Sequence, residues 1–197
     1  AASRKRAGRV TVGVLLLAPA SSRRFGSDKR FATLSTGLTL LDAAIENGLL
    51  AGLPLRDSVG SEEHDHIARL ARRGIDVLVC PRSSQGMGAT LADAVAGIRD
   101  WTAALVALGD MPIIRPATIT LIARQAAPDR ICIPQYGNRA GHPVAFGAAF
   151  FEKLSQCEGD RGARWIIESH SEFVDALPVD DPGIHRDVDT PEALRQV

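Results

Sequence analysis

The sequence predicts an α/β protein built on a mostly parallel, doubly wound sheet. Three observations carry that reading. Short apolar runs rich in β-branched residues, VTVGVLLLA from Val10 and AALVAL from Ala103, have the character of buried strands. Segments with apolar residues at helical spacing lie between such runs. The two kinds alternate from Val10 to Gln125, as in right-handed βαβ units. The composition, 45% hydrophobic and 23% charged over 197 residues, is that of a folded domain; it excludes disordered, collagen-like and coiled-coil chains.

Val10–Leu17 reads as the first strand. It follows a basic stretch (Arg4 to Arg9) and precedes Ala18-Pro19-Ala20, so the region imitates a signal peptide. The apolar run is short for a membrane span, which favours a buried strand. Residues 1–9 then form a flexible basic tail, and 10–197 a single domain. Ala18 to Lys29 is a loop. Leu38–Leu50 is a helix ending near Gly52. Leu53–Val59 is a poorly written strand, because Pro54, Arg56 and Asp57 oppose it. Ser61–Arg73 reads as a helix with Ser61 as N-cap and Gly74 as stop. His64 and His66 fall at its solvated start; with no further ligand cluster they do not read as a metal pair.

Ile75–Cys80 is a strand, Gly86–Asp100 a loop entering a helix, and Ala103–Leu108 a strand. Pro116–Gln125 is a helix with proline in its first turn. Arg130–Pro134 and His142–Phe146 are short strands. Ala148–Leu154 and Asp160–Ser169 are helices, the second capped by Asp160. Phe173–Val179 is a strand and Pro191–Gln196 a closing helix.

The formal net charge is zero, which argues against a nucleic-acid binder. That zero conceals an asymmetry. Residues 1–30 hold eight basic residues and one acid, a net of +7. The last 38 residues hold nine acids and four arginines, a net of −5. A basic end suits an anion and an acidic end a cation. Cys80, Cys132 and Cys157 are scattered without zinc spacing or a disulfide framework, so a cytoplasmic, reducing setting fits. No segment is long and apolar enough for a membrane helix.

In a doubly wound sheet, ligands sit beyond the carboxyl ends of the strands. The loop after the first strand, APASSRRFGSDK, offers the Ser22 hydroxyl, the Arg24 guanidinium, the Lys29 ammonium and Gly26 for an unusual backbone angle. These could surround a di- or triphosphate, or be the solvated charges of a surface turn. It matches neither GxxxxGK[ST] nor GxGxxG. In ALVALGDMPIIRP, Asp110 sits just past an apolar strand, where a carboxylate can hold Mg²⁺. HRDVDTPEAL places Asp187 and Asp189 two apart, on one face if extended. In CPRSSQGMGATLADAV, Gly86 and Gly88 permit close backbone approach, and Thr90 can cap a helix near an anion or a base.

These stretches resemble the molybdenum cofactor nucleotidyltransferases. Leu17, Ala18, Ser22, Arg24, Phe25, Gly26 and Lys29 fall in register with that family's L-A-A-G-x-S-x-R-[MF]-G-x-x-K loop. Gly-Asp-Met-Pro at 109–112 resembles the string whose aspartate ligates Mg²⁺ in the family. Asp-Val-Asp-Thr-Pro-Glu-Ala-Leu, 187–194, resembles its D-[IV]-D-T-P-E-D-L. Gly-Met-Gly-Ala-Thr-Leu, 86–91, looks like the cytidylyl-transferring branch. So do Gly141-His142-Pro143-Val144 and the run from Gly159 to Arg164, on the side that receives the second substrate. The resemblance spans Val12 to Leu194.

It implies a three-layer, Rossmann-like sheet of the GT-A-like nucleotidyltransferase type. It implies Mg²⁺ on Asp110 and Asp189, with Asp187 as alternate. The nucleotide, CTP, would be held by Leu17, Ala18, Ser22, Arg24, Gly26, Lys29, Gly86, Gly88 and Thr90, with Arg24, Lys29 and Asp110 as catalytic residues. His142 and Asp160 would face the acceptor. The substrates implied are an NTP and a pterin-type or other phosphorylated acceptor, molybdopterin first, and a molybdoenzyme or its chaperone as protein partner. The chain departs from the family at Pro19, which lacks a backbone N–H, and at Ala20, which adds a methyl near the phosphates. Those departures motivate two alternatives: a transferase using GTP or another acceptor, and a nucleotide-binding regulator or chaperone with an impaired loop. A secreted binding protein is the reading that the N-terminal imitation supports.

Overall fold

The computed structural model describes residues 11–18 and 28–197. The basic tail and Pro19, Ala20, Ser22, Arg24, Phe25 and Gly26 lie outside these. Among the described residues, β1 (Val12–Leu17), β2 (Leu55–Gly60), β3 (Asp76–Cys80), β4 (Ala103–Leu108), β5 (Ile131–Tyr136), β6 (Arg139–Ala140), β7 (Val144–Gly147) and β8 (Val174–Pro178) form one sheet. The order is β3-β2-β1-β4-β7-β5-β6, and β8 also pairs with β5. The strands β3, β2, β1 and β4 run parallel, while β7 is antiparallel to both β4 and β5. The sheet therefore has a parallel half and a mixed half.

Helices cover both faces: α1 (Leu40–Leu50), α2 (His64–Arg72), α3 (Met87–Ala96), α4 (Pro116–Gln125), α5 (Phe151–Leu154) and α6 (Arg164–Ser169). A short α7 (Pro191–Leu194) closes the order. Alternation in β1 explains the layers. Leu15 and Leu17 join Leu91, Val95, Phe146 and Ile166 in one core, whereas Val14 and Leu16 join Leu41, Ile45, Leu70 and Ile122 in the other. A strand buried on both faces must be apolar throughout, as VGVLLL is.

Several boundaries differ from the sequence reading. Ser61 is not an N-cap: α2 starts at His64 after Glu63, which makes no side-chain cap bond. Glu63 instead accepts from the Gly60 N–H at 2.6 Å. Asp160 does not cap a helix either, since 159–160 is a turn and α6 starts only at Arg164, after Ala163. His142 precedes β7 rather than lying on it. Asp187 and Asp189 lie on a segment without regular structure, outside the named strands. The weak strand is real. Asp57 sits in β2 fully buried, its Oδ2 3.5 Å from Nε2 of His66, so His66 belongs to the interior while His64 is exposed. All three cysteines are free and buried, and burial pushes the Cys80 thiol up to about 12. Among the described residues no helix is long and apolar enough to cross a membrane.

Candidate active site

The carboxyl ends of β1 and β4 meet at Gly109. Its N–H donates to the Leu17 carbonyl at 2.9 Å, and a Cβ there would stand 2.7 Å from the Ala18 Cβ. That close approach sets Asp110 beside the end of β1. A second tie brings the distant acidic segment in: the Val188 N–H donates to the Asp110 carbonyl at 2.9 Å. Val188 is fully buried against Leu34, Leu40 and Ala43. Its neighbours Asp187 and Asp189 both line the cleft. Thr190 caps α7 by accepting from the Ala193 N–H at 3.2 Å.

Lys29 closes the group. Its Nζ donates to Asp110 Oδ2 at 2.7 Å and to Asp189 Oδ1 at 2.5 Å. Burial depresses the lysine pKa, but the hydrogen bonds and charges of Asp110 and then Asp189 outweigh it, and the net shift is upward. Asp110 Oδ1 is buried with no hydrogen-bond partner. The cleft around these groups encloses about 490 Å³, and Leu17, Ala18, His142 and Asp160 also line it.

Next to Lys29, Arg30 is buried. It donates to the Ala18 carbonyl at 3.0 Å, to both oxygens of Asp28, and to Glu63 Oε1. Burial opposes its charge, but Asp28 and Glu63 hold its pKa above the ordinary arginine value. Sequence reasoning counted Arg30 only as one more positive charge. Its acidic neighbour Asp28 was the available signal, since a carboxylate two residues away can bond it locally.

His142 also lines the cleft. Its Nδ1 is buried without a partner, and burial lowers its pKa against the pull of Asp110 and Asp187, so the neutral imidazole is favoured. A second, largely apolar cavity of about 530 Å³ shares Leu17, Met87, Leu108 and His142 with the cleft.

The glycine-rich segment behaves differently from expectation. Gly86 has φ +121°, and a Cβ on it would come within 2.5 Å of Asp160 Oδ1. The Gly88 N–H donates to the Gly159 carbonyl at 2.7 Å. These glycines thus admit the chain's own 159–161 turn, and Met87 between them reaches the cleft. Thr90 is buried, with its hydroxyl donating back to the Gly86 carbonyl at 2.9 Å. The structure brings together Leu17, Ala18, Lys29, Asp110, His142, Asp160, Asp187 and Asp189; it does not bring Gly86, Gly88 or Thr90 to the cleft wall.

The sequence profile of the MobA-like NTP transferase domain matches residues 14–174. The chain belongs to this family. It is therefore a nucleotidyltransferase, and the cleft lies where doubly wound sheets bind nucleotides. The transferase is similar to Rv0371c of Mycobacterium tuberculosis H37Rv: 29% identity, TM-score 0.80, covering 95% of this chain and 97% of that one. Rv0371c has also been solved in complex with manganese, with 28% identity and a TM-score of 0.75. A nucleotidyl transferase from Methanothermobacter has a TM-score of 0.79 at 19% identity, over 93% of this chain and 94% of that one. Molybdopterin-guanine dinucleotide biosynthesis protein A from Archaeoglobus fulgidus has 0.70 at 18%, over 92% and 94%. No curated protein matches the sequence.

The donor set of this transferase fits a hard divalent cation. Asp110 and Asp189 supply carboxylate oxygens, Asp110 Oδ1 is orphaned, and a cation, the Lys29 ammonium, already stands between them. Among the described residues no cluster of three or more metal-ligating side chains exists. Two carboxylates completed by water and substrate phosphates is the usual arrangement for Mg²⁺ in phosphoryl-transfer sites.

Proposed function

We propose that this chain is a Mg²⁺-dependent cytidylyltransferase that moves CMP from CTP to the phosphate of molybdopterin. An acceptor phosphate oxygen attacks the α-phosphorus, the bond to the β,γ-diphosphate breaks, and pyrophosphate leaves. The observation that carries this reading is the Lys29–Asp110–Asp189 group at the carboxyl ends of β1 and β4. The Rv0371c complex with manganese supports the metal. The run from Gly86 to Leu91, of cytidylyl-branch type, supports CTP over GTP. Membership of the MobA-like family, with the motifs from Val12 to Leu194, supports a molybdopterin acceptor.

The side chains divide the work. Asp110 and Asp189 would hold the ion, with Asp187 beside them. When bound, it supplies charge neutralisation and alignment of phosphate oxygens. Lys29 offers a point charge to the triphosphate and the departing pyrophosphate. Ser22, Arg24 and Gly26 would act from the loop after β1. Neutral His142 can hydrogen-bond an acceptor group without adding charge. Positioning and charge stabilisation are enough for a reaction that needs no covalent intermediate.

Pyrophosphate release with Mg²⁺, each NTP in turn and molybdopterin tests the proposal. Turnover with CTP alone is the expected result. Turnover with GTP instead would refute the donor. Tight nucleotide binding without turnover would favour a regulator, the alternative that Pro19 and Ala20 motivate.

A further inference from the structure

Two features of the cleft bear on how the cation site fills. The carboxylates are a prepared pair, because the Val188–Asp110 backbone bond and the buried Val188 side chain fix the segment bearing Asp189 against the turn bearing Asp110. The same two oxygens that a divalent ion needs, Asp110 Oδ2 and Asp189 Oδ1, are those that Lys29 Nζ contacts, at 2.7 and 2.5 Å. Mg²⁺ sits roughly 2.0–2.1 Å from each oxygen ligand. An ammonium within hydrogen-bonding distance of both oxygens occupies that position and repels a second cation.

We infer that Lys29 is the resident cation of the Asp110–Asp189 pair in the metal-free protein, and that it and a divalent ion are mutually exclusive occupants. The inference rests on the reading of that pair as the metal site. The backbone at this point is anchored, because Arg30 is buried among Ala18, Asp28 and Glu63. What exchanges is thus the four-carbon arm of Lys29 alone. Arrival of the ion displaces the ammonium from the two carboxylates within the same cleft, where a triphosphate presents negative charge. Metal binding and delivery of Lys29 to substrate become one event. An empty site keeps its carboxylates neutralised.

The consequence runs against the ordinary expectation for an active-site lysine. Removing Lys29 tightens metal binding. The measurement is the binding of Mn²⁺ alone to the full chain, followed by the electron paramagnetic resonance of the free ion. Lys29→Met and Lys29→Gln should each bind Mn²⁺ about tenfold more tightly than the natural protein, the factor for a site open a tenth of the time. Thermal melts confirm that the variants are folded.

Loss of simple repulsion would also tighten binding, so a second readout follows the lysine itself. Lys5, Lys29 and Lys153 are the lysines of the sequence, which makes their side-chain ¹⁵N signals assignable. Titration with Mg²⁺ should move the Lys29 ammonium signal away from its metal-free position while leaving Lys153 unchanged. A Lys29 signal unmoved at saturating Mg²⁺, or variants that bind Mn²⁺ no more tightly, would overturn the inference. Equal Mn²⁺ affinity in Asp110→Asn and the natural protein is a different failure: it would remove the metal site itself, and the inference with it.

Discussion

Lys29 and Arg30 are consecutive residues of one 3-10 turn, and each is held by two carboxylates. Their surroundings differ. The Lys29 side chain is 14% exposed and its partners face a cleft, with Asp189 45% exposed. The Arg30 side chain is 5% exposed, and its fork also satisfies the Ala18 carbonyl. An ammonium on a flexible stem is a replaceable point charge, whereas a planar guanidinium with fixed donors is a permanent fitting. One turn therefore carries both a working charge and a structural one, and residue type decides which is which.

Substitutions can break that contrast. The largest effect is expected for Asp110→Ala, which takes an oxygen donor from the working side: kcat/KM should fall roughly 10³-fold, about 4 kcal/mol. Its melting temperature should hold. Residual full activity would disprove the assignment of Asp110. On the structural side, Arg30→Met leaves Asp28 and Glu63 uncompensated. It should destabilise the fold by about 3–5 kcal/mol, on the order of 10 °C in Tm. A melting curve coincident with the natural protein would show that Arg30 is dispensable.

Lys29→Met should separate the two roles most cleanly. A fall of roughly 10²-fold in kcat/KM is expected from losing one charge at the developing pyrophosphate, with Tm within about 2 °C. Destabilisation comparable to Arg30→Met would erase the distinction between the neighbours.

The smallest effect concerns Asp57, behind Arg30. Burial raises its pKa, against the opposing pull of His66 and Arg30. A carboxyl whose folded pKa lies above its unfolded value stabilises fully below about 4, and that stability is lost as pH rises through the folded pKa. Asp57→Asn mimics the protonated form, so at pH 7 it should melt above the natural protein. The gap should close toward pH 4. A gap independent of pH would mean that Asp57 is ionised at every pH tested.

Much of this was legible in the sequence, and the exceptions share a cause. VGVLLL and AALVAL announce themselves because strands buried on both faces leave no polar position. Lys29, Asp110, Asp187 and Asp189, singled out in the sequence as charged residues in loops after strands or near the chain end, are brought into one cleft by the fold. β2 was obscured by Asp57, whose place in the core depends on His66 from a later helix. Ser61 looked like a cap because local sequence cannot show that Glu63 is already engaged by Gly60 and Arg30. Gly86 and Gly88 signalled close approach correctly but not to what, since Gly159 and Asp160 arrive from some seventy positions away. β6, two residues long, carries no periodicity at all.

Lys29 lies 81 positions from Asp110 and 160 from Asp189. Bringing such distant points together carries a loop-closure cost that is met only once intervening structure has condensed. The acidic segment is then retained by the Val188 side chain, the Val188–Asp110 bond and the short α7 that follows. A segment joined to the fold through such local ties can open before the sheet does. Rising denaturant should thus peel Asp187 and Asp189 from the cleft before the sheet yields, and catalysis should fade while the spectroscopic signature of the fold is still intact.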